Sequence, residues 1–198
     1  MPFHKFVRDA DGWKTLGEEI AFANPYLEVS RVTLCSPARP TPFTWTVTHR
    51  KAAVVVAPMT AGGSFVLVRQ ERVPIRATIW EFPAGQIDEH ADHDAAAIRA
   101  TGLRELREES GYELGPGGEI VSLGYFFPSA GFTDEQSHLL LARPVVPSPH
   151  GHAHDSSEAI VGCREFTVDE LRDAIATAEI RDANTLAAFA RLVASGFL

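Results

Sequence analysis

Three glutamates, Glu105, Glu108 and Glu109, stand at i, i+3 and i+4 in the run Arg104-Glu105-Leu106-Arg107-Glu108-Glu109-Ser110-Gly111-Tyr112, so on a helix they share one face. Like charges so placed repel, and such a helix gains stability only when cations lie among them. Divalent ions of the magnesium type, held by oxygen ligands, meet that need. Gly111 then suits the helix C-cap. The plain alternative is a solvated helix face, with Arg104 and Glu108 as an ordinary i,i+4 pair. What favours the cation reading is the upstream stretch Glu81-Phe82-Pro83-Ala84-Gly85-Gln86-Ile87-Asp88. It reads as a strand end with a Pro/Gly break that delivers the chain into a loop and then a helix.

This strand, glycine loop and acidic helix resemble the Nudix box, G-x5-E-x7-R-E-U-x-E-E-x-G-U with U apolar. Counting from Gly85, the first Glu of the pattern falls on Ala91, and the Arg-Glu pair arrives five residues late, as if Ile98-Arg99-Ala100-Thr101-Gly102 were inserted. Five residues advance a helix by about 500°, so Gly102 is expected to absorb the insertion as a bulge or loop. The three later glutamates, which hold metal in the family, are all in place.

A chain of 198 residues with 45% hydrophobic content can bury a core of its own and fits one compact unit with a small appended subdomain. Two cysteines, Cys35 and Cys163, do not make a disulfide framework and read as small core or surface residues. A net charge of −8 argues against broad affinity for nucleic acid or anionic membranes, which basic patches drive. No apolar run approaches the roughly 20 residues of a membrane span. The acidic N-terminus, with Asp9, Asp11, Glu18 and Glu19, lacks a signal-peptide pattern, so a cytoplasmic address is expected.

Residues 1 to about 23 read as weak helix or coil. Tyr26 to Leu34 is β-branched and alternating; Pro37, Pro40 and Pro42 interrupt, and Phe43 to Thr48 alternates again as a hairpin partner. The continuous apolar run Lys51 to Ala57 reads as a buried strand returning through Gly62-Gly63 as Ser64 to Arg69. Strands follow the acidic helix at Ile120 to Phe127, His138 to Val146 and Gly162 to Phe166, with closing helices at Val168 to Ala178 and Ala183 to Ala194. Thr167 and Asp182 suit their N-caps, with Glu170 completing a capping box. The expected class is α/β (α+β): a Nudix α/β/α sandwich on a mixed sheet (residues 49–198) behind a small N-terminal antiparallel sheet (residues 1–48).

Further stretches bring the resemblance to the ADP-ribose and nucleotide-sugar pyrophosphatases of that superfamily: Leu67 to Pro74 with Gln70 and Arg72, Trp80 to Gly85, and Glu179 to Ala187. The resemblance implies that Glu105, Glu108 and Glu109, with the backbone carbonyl of Ala84, hold magnesium, manganese being the alternative. It implies hydrolysis of the pyrophosphate of ADP-ribose or a related nucleotide-sugar to a nucleoside monophosphate and a sugar phosphate, with Glu105 and Glu109 in the catalytic set. Arg72 matches a substrate arginine. The general base is expected from the loop His154 to Ile160, with Glu158 first and Asp155 second. The loop Pro128 to Glu135 stands where the family touches substrate, and Glu135 is assigned there. Trp45 is set either to stack adenine or to close the small sheet.

The tract Pro149-His150-Gly151-His152-Ala153-His154-Asp155 reads as a lid carrying Glu158 rather than as a metal site, because a glycine-containing loop seldom supplies fixed ligand geometry. An N-terminal sheet too small to stand alone favours a homodimer. Two other readings stand beside hydrolysis of a nucleotide-sugar: a module that binds one without turning it over, and a hydrolase of another nucleoside diphosphate derivative.

Overall fold

The computed structural model describes residues 5, 7–87, 94–153 and 159–198. The apolar run at 52–57 becomes β4 (Ala53–Thr60), buried on both faces. It returns through the Gly62-Gly63 turn as β5 (Phe65–Arg72). A short 3-10 turn (Val73–Ile75) leads to β6 (Ala77–Glu81) and β7 (Ala84–Gln86). After α1 (Ala95–Ser110) come β8 (Tyr112–Phe126), β9 (Ser137–Pro147) and β10 (Ile160–Phe166), then α2 (Val168–Ala176) and α3 (Ala183–Ala194).

The main sheet runs β10-β5-β4-β9-β8, with β6 added on β5 and β7 on β4. It is mixed, because β4 and β9 run parallel while its other pairs are antiparallel. Alternation along β4 sorts the core. Val54 and Val56 face Leu106 of α1, with Leu140 and Ala142 of β9. Val55 and Ala57 face Leu171 of α2 and Ala188 and Leu192 of α3, with Leu139 and Leu141. Helices thus cover both faces, as expected of the sandwich. Thr167 and Glu170 form the capping box of α2, and Asp182 caps α3 by accepting from the Thr185 amide.

A separate antiparallel sheet precedes it, in the order β1-β2-β3: β1 (Lys14–Ala23), β2 (Leu27–Ser36) and β3 (Arg39–Arg50). The helix or coil expected before residue 23 is therefore corrected to a strand. Register shifts at Thr15/Gly17 and Ile20/Phe22 break its alternation, so the period-2 signal is lost although the pairing with β2 is long. Pro40 and Pro42 lie within β3 rather than before it, which an edge strand tolerates because one side needs no amide donor.

Gly102 is the second correction. α1 is continuous, and a Cβ on Gly102 would lie 2.6 Å from Leu140 Cδ1 and 3.2 Å from Val56 Cγ2. The glycine lets the helix lie close on β4 and β9 and absorbs no insertion; the extra residues fall ahead of the helix, which starts at Ala95. Counting the box back from Arg104 puts Ala96 at the first-Glu position, so that glutamate is lacking from either end of the pattern.

Candidate active site

β7 passes beneath α1, and at Gly85 the two touch. A Cβ there would lie 1.8 Å from Glu105 Oε1 and 2.0 Å from its Cδ, so only glycine leaves room for that carboxylate. The Ala84 amide donates to Glu109 Oε2 at 2.9 Å. Glu105 and Glu109 are 3% and 2% exposed, whereas Glu108 is partly open to solvent. Arg104 holds two of the three, with Nη2 2.6 Å from Glu105 Oε1 and Nη1 donating to Glu108 Oε2 at 2.8 Å. Gly111 closes the helix at φ 71°, its amide donating to the Arg107 carbonyl.

The donors gathered here are all carboxylate oxygens, two of them buried, facing a backbone that a glycine brings close. Arg107 also approaches Glu108, with Nη2 3.7 Å from its Oε1. Such a set fits a hard divalent cation of the magnesium type. The three carboxylates are spread along the helix face: among the described residues, the group of three donors lying mutually within 4.8 Å is a different one, Glu18, Glu28 and His49.

Arg72, at the end of β5, is clamped to Glu81 of β6. Nε donates to Oε1 at 2.9 Å and Nη2 to Oε2 at 2.6 Å. Burial pushes the Glu81 carboxyl up despite Arg72, and the Asp182 charge adds to the rise. The α3 start reaches the same corner, since the Phe82 amide donates to Thr185 Oγ1 at 2.9 Å. No role for Glu81 follows from the sequence alone. Its signal was an acidic residue in an otherwise apolar strand end, Ile79-Trp80-Glu81-Phe82.

Trp45 stands half exposed on β3, its indole Nε1 donating to the Gly131 carbonyl at 3.2 Å. With Phe43, Val47, Phe127 and Phe132 it lines an apolar groove of about 760 Å³ between the small sheet and the loop after β8. Glu135, at the end of that loop, accepts from Arg50 Nη1 at 2.9 Å, and burial pushes its carboxyl up against the pull of Arg50. Arg50 was missed because its partner lies 85 residues away.

The predicted residues thus form two groups, and β4 joins them. Ala53 pairs with Gln86 of β7 on one side and Ser137 of β9 on the other. Two strand spacings put the glycine corner and the Glu135 loop about 10 Å apart. Ala91, Asp155 and Glu158 lie outside the described residues. The first half of the histidine tract is pinned to the end of α1, because the Ser148 amide donates to the Gly111 carbonyl and the Ala153 amide to the Glu108 carbonyl. Both cysteines are free thiols, and Cys163 is pushed up to about 11 by burial and by Glu165.

The family profile of the NUDIX domain matches residues 48–189. The chain is a member of the Nudix hydrolases. It is 34% identical over 142 residues to the methanol dehydrogenase activator of Bacillus methanolicus, 72% of either chain. It is 30% identical over 139 residues to the ADP-ribose pyrophosphatase of Bacillus subtilis strain 168, 70% of either chain. A crystal structure of an ADP compounds hydrolase shares its fold, with TM-score 0.75 at 16% identity over 97% of this chain and 100% of that one. In this Nudix hydrolase the glycine corner falls within the matched span, and among the described residues no helix is long and apolar enough to cross a membrane.

Proposed function

We propose that this Nudix hydrolase cleaves the pyrophosphate of ADP-ribose or a related nucleotide-sugar, releasing a nucleoside monophosphate and a sugar phosphate. The observation that carries the reading is the Gly85 corner, where Glu105 fills the space a Cβ would take and Glu109 is fixed by the Ala84 amide. Glu105, Glu108, Glu109 and the Ala84 carbonyl are the groups that would hold magnesium, which supplies phosphorus polarisation and charge neutralisation when bound. Arg104 holds the Glu105 and Glu108 carboxylates in place until a cation competes for them. Arg72, held rigidly by Glu81, presents its guanidinium to a substrate phosphate or ribose. Trp45 and the groove it lines stack the adenine. Glu158 takes the proton of the attacking water.

The protein acts as a homodimer in this reading. β1 is an edge strand exposed along its whole length, and Leu16, Ile20 and Phe22 lie open on it, a surface that a second copy would cover. The test is product analysis with magnesium and a panel of ADP-ribose, other nucleotide-sugars and nucleoside triphosphates, beside a Glu108→Gln/Glu109→Gln control. Release of AMP and ribose 5-phosphate that the control loses is the expected result. Binding without turnover of any member would instead establish a ligand-binding module.

A further inference from the structure

The small sheet carries a second cluster of metal-ligating side chains, away from the α1 glutamates. Glu18 of β1, Glu28 of β2 and His49 of β3 each bring one donor atom within 4.8 Å of the others. Glu28 and His49 are direct cross-strand partners and are 2% and 5% exposed. His49 Nδ1 lies 2.6 Å from Asp134 Oδ2, which makes Nδ1 the donor and turns Nε2 into the cluster. Nε2 is buried and takes part in no hydrogen bond; Glu18 Oε1, 3.3 Å away, lies outside hydrogen-bonding geometry. That carboxylate faces Nε2 as an ion-pair partner when the ring is protonated and as a fellow ligand when a metal takes the proton's place. A carboxylate on one imidazole nitrogen, with the other nitrogen left open, is the arrangement around metal-ligating histidines. With zinc-to-ligand distances of about 2.0–2.1 Å, tetrahedral donors stand roughly 3.3 Å apart, which is the separation of Nε2 and Oε1 here.

A cation already sits at the cluster. The Lys5 ammonium pairs with Glu18 Oε1 and lies 3.7 Å from Glu28 Oε1. We propose that Glu18, Glu28 and His49 form a site for a divalent transition metal of the zinc class, with Lys5 as its built-in competitor. The imidazole distinguishes this site from the all-oxygen α1 face and selects against magnesium. On binding, the metal bonds to Nε2 and to one oxygen of each glutamate, with water in the fourth position. Any proton on Nε2 leaves to solvent, and the Lys5 ammonium withdraws with its proton. One ligand comes from each strand, so the metal cross-links the whole small sheet and, through Asp134, the loop that carries Glu135.

The test uses the full chain, stripped with a chelator and then titrated with zinc in excess magnesium, which keeps the α1 carboxylates engaged. Calorimetry gives affinity and stoichiometry, and cobalt substitution reports the ligand geometry from its visible bands. The expected result is one zinc per chain that is lost in both His49→Gln and Glu18→Gln, with a four-coordinate cobalt spectrum lost alongside. Asp134→Asn should weaken binding by about 10–100-fold. Lys5→Met should tighten it by about tenfold, the scale of one partly buried ion pair that no longer has to be broken. Glu18 lies on the exposed edge strand, so its variant tests the site even if His49→Gln folds poorly. Equal zinc stoichiometry and an identical cobalt spectrum in wild type and both variants would place the zinc elsewhere and overturn the proposal. An unchanged affinity in Lys5→Met would overturn the role of Lys5.

Discussion

Gly85→Ala adds one methyl group at the point where β7 and α1 touch. Its Cβ would lie 1.8 Å from Glu105 Oε1, 2.0 Å from Cδ and 2.7 Å from Cγ, while ordinary carbon contacts lie near 3.5–4.0 Å. The carboxylate must retreat by well over an ångström, and it cannot simply swing into solvent: Glu105 is buried and paired with Arg104. Overpacking of this kind costs about 1–3 kcal/mol, or a fall in melting temperature of roughly 2–4 °C per kcal/mol for a chain of this size. Catalysis should suffer more, because a displacement near 1 Å in a positioned group costs about 100-fold. The assay is magnesium-dependent release of AMP from ADP-ribose, read beside a thermal melt. Glu105→Ala in the same background removes the clash, so the double variant should recover most of the lost stability and none of the activity. Full activity in Gly85→Ala, with an unchanged magnesium requirement, would refute the assignment of Glu105 to the metal.

Arg72→Ala leaves the buried Glu81 carboxylate unpaired and should cost about 3 kcal/mol, the low end for a buried pair because Arg72 is itself partly exposed. Glu81→Gln in the same chain should restore most of that stability on chemical denaturation, and a purely additive double variant would show that the pair is not coupled. Gly102→Ala gains helix propensity but drives a methyl against Leu140 Cδ1 at 2.6 Å, so it should be net destabilising by about 1 kcal/mol; a rise in melting temperature would show that α1 does not lie so close to the sheet. For Cys163, the thiolate is the reactive form and the thiol is pushed up to about 11. In a Cys35→Ala background its alkylation rate should therefore still be rising at pH 10, and a plateau by pH 9 would contradict that shift.

Where the chemistry is local, the order of residues is enough to specify it. The i, i+3, i+4 spacing put the three glutamates on one helix face, and Gly111 ended that helix in the left-handed conformation. The alternation and apolar runs located β4, β5, β9 and both closing helices with their caps. Each of those signals lies within a few residues of its effect, so backbone geometry alone transmits it. β1 was illegible because two register shifts erase its period, and only the partner strand β2 reveals it. Gly102 read as a bulge because a helix interior gives no local reason for glycine; the reason is Leu140 on the neighbouring strand. His49 with Asp134 and Arg50 with Glu135 each join residues 85 positions apart. No spacing rule reaches that far, and what brings them together is the packing of the small sheet against the loop before β9.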